Sequence, residues 1–280
     1  MTIEAVLLGI AQDGGVPQAG CYCATCTQAR LDPSRRQWVV CLGLIDHTAR
    51  QSWLIDATPD FKEQLHALYQ LAPAYPLAGI LLTHIHMGHY TGLIHLGPEA
   101  MNRQNLPLYT TVRAADFLNQ NAPWSYLVDR AHLQLNILEP NLPLSLSPTL
   151  KVEPVLVPHR AEFSDTLAFT ISGPRRRLFF CPDIDRWEAW TYDLREFLTG
   201  IEVALLDGCF FSPAELPGRD LSQIPHPFVG DTVARLAGLG CEVHLIHLNH
   251  TNPLLNDSPE RAWLAQQGFQ VGAFGRRWSL

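Results

Sequence analysis

Six short apolar runs in this chain end in a residue that can do chemistry. They are SWLID at 52–56, AGILLTH at 78–84, VLVPH at 155–159, FFCPD at 179–183, VALLD at 203–207 and VHLIH at 243–247. Runs of Val, Ile, Leu and Phe of this length, bounded by turn residues, read as buried strands. A polar residue at the exit of each run then falls where a rigid sheet presents its loops, which is where sites are usually built. Further strands are expected at IEAVLLGI, WVVCLGLID, LPLYTT, TLAFTIS and RRLFFCPD. Helical patterns fall around 59–71, 112–120, 187–199, 229–238 and 258–267, several with Asp, Thr or Ser near their starts. The proline-rich stretch 139–149 is expected to connect two halves. Strands interspersed with helices, without a break in composition, predict one layered α/β domain over 1–280.

Composition narrows the function classes. Of 280 residues, 47% are hydrophobic and 17% charged, which suits a buried core, and the net charge of −7 does not suggest a nucleic-acid footprint. The basic run at 175–177 follows Ser172-Gly173-Pro174 and reads as a solvated hairpin turn. No apolar run is long enough to span a membrane, and the first residues read as a strand and not a signal peptide. Seven cysteines include four isolated ones, Cys41, Cys181, Cys209 and Cys241, expected as buried thiols in a reducing, cytoplasmic setting. The expected partner is a small-molecule substrate, with no membrane and no nucleic acid, and with a homodimer as the one protein partner considered.

Two clusters carry metal chemistry. In LLTHIHMGHY (81–90), His84 and His86 point the same way if extended, because side chains alternate along a strand. His89 then sits in the first turn of a helical segment, across the same cavity. That spacing can hold two adjacent metals, His84 and His86 on one and His89 on the other. The second cluster lies in AQDGGVPQAGCYCATC (11–26), where Cys21, Cys23 and Cys26 form C-x-C-x-x-C. Three thiolates this close suit a closed zinc site that lacks a fourth ligand. A disulfide would leave one cysteine unpaired, and a redox role for Cys23 and Cys26 is the poorer reading. His250, three residues beyond His247, is the candidate that completes Cys3His if His247 serves another metal.

THIHMGHYTGL resembles the H-x-H-x-D-H signature of the metallo-β-lactamase superfamily, and other motifs of that family follow in order. SWLIDATPDF resembles its aspartate-bearing strand, and VLVPHRAEFSDTLAF the segment of the third ligand of the first metal. LFFCPDIDRW resembles the segment of the bridging aspartate, and HLIHLNHTNP the last motif. The resemblance implies a four-layer αββα sandwich. It implies His84, His86 and His159 on one metal, His89 and His247 on a second, and Asp183 shared between them. Asp56 is implied to accept a hydrogen bond from a ligand histidine, in competition with a helix N-cap role. His226, in IPHPFVGDTV, aligns with a segment where related phosphodiesterases carry a proton-donating histidine. Asp183, His226 and Asp56 are thus the catalytic candidates. Tyr90 and Arg160 flank ligands. His47, His66, His95, His132 and His244 are read as solvent or core positions.

The departure is Gly88, which stands where the family pattern has a metal-binding aspartate. Without that oxygen donor the second position is expected to bind more weakly, leaving a mononuclear or an asymmetric dinuclear site. The cysteine loop with paired C-terminal histidines resembles two branches of the superfamily. One is the PqqB proteins of pyrroloquinoline quinone biosynthesis, the other the cyclic phosphodiesterases of bacterial phosphonate breakdown. The cofactors implied are a structural Zn2+ and one or two catalytic ions, Zn2+ or Mn2+, with iron in the PqqB-like reading. The leading expectation is a metal-dependent hydrolase acting on a phosphodiester. The alternatives are a PqqB-like oxygenase or biosynthetic protein, and a catalytically silent scaffold.

Overall fold

A computed structural model describes residues 2–280. The first sheet uses β1 (Ile3–Gly9), β2 (Cys41–Asp46), β3 (Gln51–Ile55), β4 (Leu77–Leu81), β5 (Leu106–Thr110) and β6 (Leu133–Ile137). The second uses β7 (Leu144–Ser145), β8 (Lys151–Val157), β9 (Thr166–Ser172), β10 (Arg177–Cys181), β11 (Val203–Asp207), β12 (Glu242–Ile246) and β13 (Gln270–Val271). The last strand, β14 (Arg277–Ser279), returns to the first sheet beside β1. Strand order is β14-β1-β2-β3-β4-β5-β6 in one sheet and β13-β12-β11-β10-β9-β8-β7 in the other. The proline-rich stretch therefore falls at the passage from one sheet to the other.

Burial follows the period of the strand. In β1, Ile3, Ala5 and Leu7 join the core that includes Val152, Phe169 and Phe180 of the second sheet. Val6 and Leu8 point the other way, into a core with Phe61, Leu65 and Leu68. β3 repeats this, with Trp53 and Ile55 toward the second sheet and Leu54 toward the helices. A strand buried on both faces needs apolar residues at every position, which is why these segments read as unbroken apolar runs.

The helices are α1 (Ala24–Leu31), α2 (Phe61–Leu71), α3 (Met87–Tyr90), α4 (Val112–Gln120), α5 (Trp124–Asp129), α6 (Leu194–Phe197), α7 (Val229–Leu236) and α8 (Pro259–Gln266). Residues of α2, α4 and α5 pack on the outer face of the first sheet, and residues of α6, α7 and α8 join the core of the second. The result is the αββα order of layers. The helix expected over 187–199 is instead a 3-10 turn, Trp187–Ala189, and the short α6. Trp187 and Trp190 turn inward between them, and the Asp193 carboxylate accepts from Glu196 N at 2.9 Å to start α6 afresh. Among the described residues no helix is long and apolar enough to cross a membrane. β9 and β10 form the antiparallel hairpin expected around Gly173.

Candidate metal centre

Strand direction brings the exits together. β1 is antiparallel to β2 and β2 to β3, so β1 and β3 run the same way, and β4 follows parallel to β3. In the second sheet β8 and β10 run the same way through the antiparallel β9, and β11 and β12 continue parallel to β10. Backbone bonds hold the exits of the two sheets against each other. Leu248 N donates to Ile10 O at 2.8 Å, Gln12 N to Leu248 O at 3.0 Å, and Leu167 N to Thr83 O at 2.9 Å. Residues at the ends of β1, β3, β4, β8, β10, β11 and β12 therefore face one another.

His84, His86 and His159 meet at one point. His86 Nδ1 lies 2.9 Å from His84 Nε2 and 3.2 Å from His159 Nε2. Asp183 approaches with Oδ2 3.8 Å from His84 Nε2 and Oδ1 3.7 Å from His159 Nε2. The outer nitrogen of each ring faces an oxygen: Thr83 Oγ1 at 2.9 Å for His84, Glu162 at 3.3 Å for His86, and Asp185 at 2.9 Å for His159. Placing the ring proton there leaves the inner lone pair bare, which is the tautomer a metal ligand needs. Burial pushes the pKa of His84 and His86 down, and the neighbouring histidines push it further, so both are held neutral. Bare nitrogens 2.9 and 3.2 Å from His86 Nδ1 have no hydrogen bond to share with it, whereas bonds of about 2.0 Å to one tetrahedral zinc would set such donors about 3.3 Å apart. The donor set fits the ion.

A second focus lies beyond Asp183. His89 Nε2 is 2.9 Å and His247 Nε2 3.3 Å from Asp183 Oδ2. His89 is fixed from behind by Asp56, whose Oδ2 is 2.7 Å from His89 Nδ1. The Asp56 carboxylate also accepts from Thr83 N at 2.8 Å. Asp56 is fully buried and does not cap α2, whose preceding residue is Asp60. It is a positioning residue. A residue unmarked in the sequence reading, Asp13, completes the focus, with Oδ1 3.2 Å from His89 Nε2 and 3.4 Å from His247 Nε2. Burial works against its charge, but the rings of His247 and His89 beside it hold it well below the usual carboxylate range. The space left by Gly88 is thus not empty, because a Cβ at 88 would come within 2.7 Å of Asp13 Cα and Cγ. The expectation that this position lacks a carboxylate is corrected. The one available sequence signal was that QDGG follows the first strand as the other site residues follow theirs. His89 Nε2 and Asp183 Oδ2 are buried without a hydrogen bond, an arrangement a shared cation would satisfy.

His226 also reaches the centre. Its Nδ1 donates to Asp207 Oδ2 at 2.6 Å and lies 3.7 Å from Asp183 Oδ1. Burial pushes its pKa down, but Asp207 outweighs this and raises it. Asp207 is held in turn by Ile184 N at 3.1 Å and Cys209 N at 2.9 Å. His226, His247 and Asp56 have φ of 86°, 58° and 71°, left-handed values that cost non-glycine residues energy and cluster at sites. Beside His226 a cavity of about 410 Å³ is lined by Trp187, Ile224 and Phe228, among others. Cys209 is buried as expected but not isolated, since donor atoms of Cys209, His226 and His247 lie within 4.8 Å of one another. Cys241 is only half-buried. Tyr90 packs against Phe117 and Trp124 in the helix-side core, and Arg160 is exposed beside Glu162.

The cysteine cluster closes on the predicted histidine. Cys21 Sγ and Cys23 Sγ lie 3.6 and 3.5 Å from His250 Nδ1, and Cys26 completes a group whose donor atoms are all within 4.8 Å. No cysteine is in a disulfide. Zinc bonds of about 2.3 Å to sulfur and 2.0 Å to nitrogen at a tetrahedral angle give a separation of about 3.5 Å, so this Cys3His set fits zinc.

A sequence model of the beta-lactamase superfamily domain matches residues 52–254. Coenzyme PQQ synthesis protein B of Methylobacterium sp. (strain 4-46) is 28% identical over 98% of both chains. That of Xanthomonas campestris pv. campestris (strain B100) is 29% identical over 99% of this chain and 100% of its own. Among solved structures, Zn(2+)-bound PqqB from Methylobacterium extorquens superposes with a TM-score of 0.83 at 25% identity, over 99% of this chain and 100% of its own. A diphosphatase of the PhnP family gives 0.74 at 21% identity, over 100% and 98%, a likeness of fold.

Proposed function

The chain belongs to the metallo-β-lactamase superfamily, in its PqqB-like branch, and on that premise we propose that it is a metal-dependent, PqqB-type enzyme acting on a small organic molecule. The observation that carries this reading is that the likeness to PqqB covers nearly the whole of both chains, in sequence and in fold. His84, His86, His159 and Asp183 would hold one ion, and His89, His247 and Asp183 would contribute to holding a second. When bound, such an ion supplies Lewis acidity and acidifies a coordinated water.

The protein's own residues do the rest. Thr83, Asp185 and Asp56 keep the ring protons on the outer nitrogens, so the inner faces stay in ligand form. Asp207 holds the Nδ1 proton of His226, which leaves Nε2 as the atom that exchanges a proton with substrate. Trp187, Ile224 and Phe228 form apolar walls beside that histidine.

A second reading, hydrolysis of a phosphodiester, is favoured by one observation: the complete three-imidazole face with the His226–Asp207 pair beside it. One experiment separates the two. The gene would be introduced into a bacterium lacking PqqB, and the purified protein, loaded with Zn2+, Mn2+ or Fe2+, would be offered bis(p-nitrophenyl) phosphate. Restored PQQ formation that is lost in His84→Ala supports the first reading. Phosphodiester turnover without restoration moves the assignment to the second, and neither outcome in any metal form overturns the enzyme reading.

A further inference from the structure

We infer that Asp13 is a ligand of the second metal position, supplying from the first loop the carboxylate that residue 88 does not carry. The inference rests on the metal-centre reading above. Its starting point is a mutual exclusion. Gly88 is the second residue of α3, and a Cβ there would come within 2.7 Å of the Cα and Cγ of Asp13. Asp13 can lie where it does only because residue 88 has no side chain, and residue 88 can be glycine without loss of the donor only because Asp13 is there.

The position is held, not incidental. Gln12 N is bonded to Leu248 O at 3.0 Å and Gly15 N to Gln12 O at 2.8 Å, which fixes the backbone on both sides of Asp13. The competing explanation makes Asp13 an acceptor for His89 and His247 only. His89 already directs Nδ1 to Asp56, and its buried Nε2, although close to both Asp13 and Asp183, makes a hydrogen bond to neither. Spacings of 2.9, 3.2, 3.3 and 3.4 Å among Asp13, His89, His247 and Asp183 are instead those of donors arranged about one ion, with bonds of about 2.0–2.2 Å. The buried, unbonded His89 Nε2 and Asp183 Oδ2 face the same point.

A consequence follows from chain position. Asp13 and Cys21 belong to one loop, and His247 and His250 to one turn. Two of the second position's donors therefore hang from the segments that the Cys3His site joins, whereas His84, His86 and His159 do not.

The test measures ion binding and needs no substrate. Protein stripped of catalytic metal but retaining its Cys3His zinc is titrated with Mn2+, and bound ions are counted by equilibrium dialysis and elemental analysis. Wild type should take up two ions beyond the zinc. Asp13→Asn should bind the first unchanged and the second at least about tenfold more weakly. Gly88→Ala removes no donor but occupies Asp13's space, and should weaken the second ion in the same way. Unchanged second-ion affinity in either variant overturns the inference and leaves the metal centre standing. A single ion in wild type, bound equally by Asp13→Asn, also overturns it. No ion beyond the zinc in wild type would remove the metal-centre reading itself, and Asp13 with it.

Discussion

The two donor clusters differ in how they are built and in what they leave free. The Cys3His group uses three thiols from one short loop and a single histidine from the far end of the chain, and its four donors close on one another. The histidine and carboxylate centre draws donors from strand exits in both sheets, with His84, His159 and His89 braced from behind by oxygen partners, and retains a neighbouring cavity. A closed sulfur-rich set serves structure, while a mixed set with room beside it can admit substrate. The difference teaches where rigidity originates. The histidines of the mixed centre are stiffened by sheet and outer hydrogen bonds, but the segment around the cysteines has few apolar anchors, namely Ala11, Val16 and, in α1, Ala29. A metal clip would add the order that packing does not supply.

The comparison breaks most visibly at His159. His159→Ala should remove one metal equivalent and bring turnover to background while the melting curve stays cooperative, because this residue lies at a strand exit and not in an apolar core. Elemental analysis with calorimetry checks it, and loss of fold with full metal content would refute the assignment. Next comes Cys23→Ser, which should cost at least about 4 kcal/mol of stability, as losses of structural metal do. It should also weaken ion binding at the centre, since His247 and His250 share one turn. Cys241→Ser, distant from both clusters, is the control, and equal melting temperatures for the two variants would dissolve the distinction.

Asp207→Asn sharpens the comparison within the centre. It removes the charge behind His226 without touching the three-imidazole face, so turnover should fall about 10²- to 10⁴-fold with metal content unchanged. If metal is lost as well, Asp207 belongs to the ligand scaffold. The smallest effect is expected at Gly88→Asp. By family analogy alone it should tighten the second position. With Asp13 in that space it should instead cost about 1–3 kcal/mol through overpacking and leave the second ion no tighter. Mn2+ titration and a melting curve on the same sample decide between the two.

Much of this centre was legible before any coordinates. His84, His159, Asp183 and His247 were legible because the apolar run that ends at each is a local pattern, and His86 and His89 through their spacing from His84. Cys21, Cys23 and Cys26 were legible through spacing, and His250 through its distance from His247. The strands missed, β6, β7, β13 and β14, are edge or near-edge pieces, short or with polar and exposed positions, so no continuous apolar run marks them. The helix misplaced over 187–199 had helical content but two tryptophans whose burial turned the chain.

While the αββα order was implied by the resemblance, the linear pattern by itself carries a layered α/β domain, the recurring donors and a glycine where the family pattern has a carboxylate. Only the tertiary structure decided what fills that place. Asp13 and Gly88 are far apart along the chain and carry no shared pattern. They meet because β1 and β12 run out of their sheets side by side, and the bonds between Ile10, Gln12 and Leu248 carry the first loop over α3. Such pairings depend on the relative placement of two sheets, which the burial of their apolar faces imposes and no local stretch of sequence records.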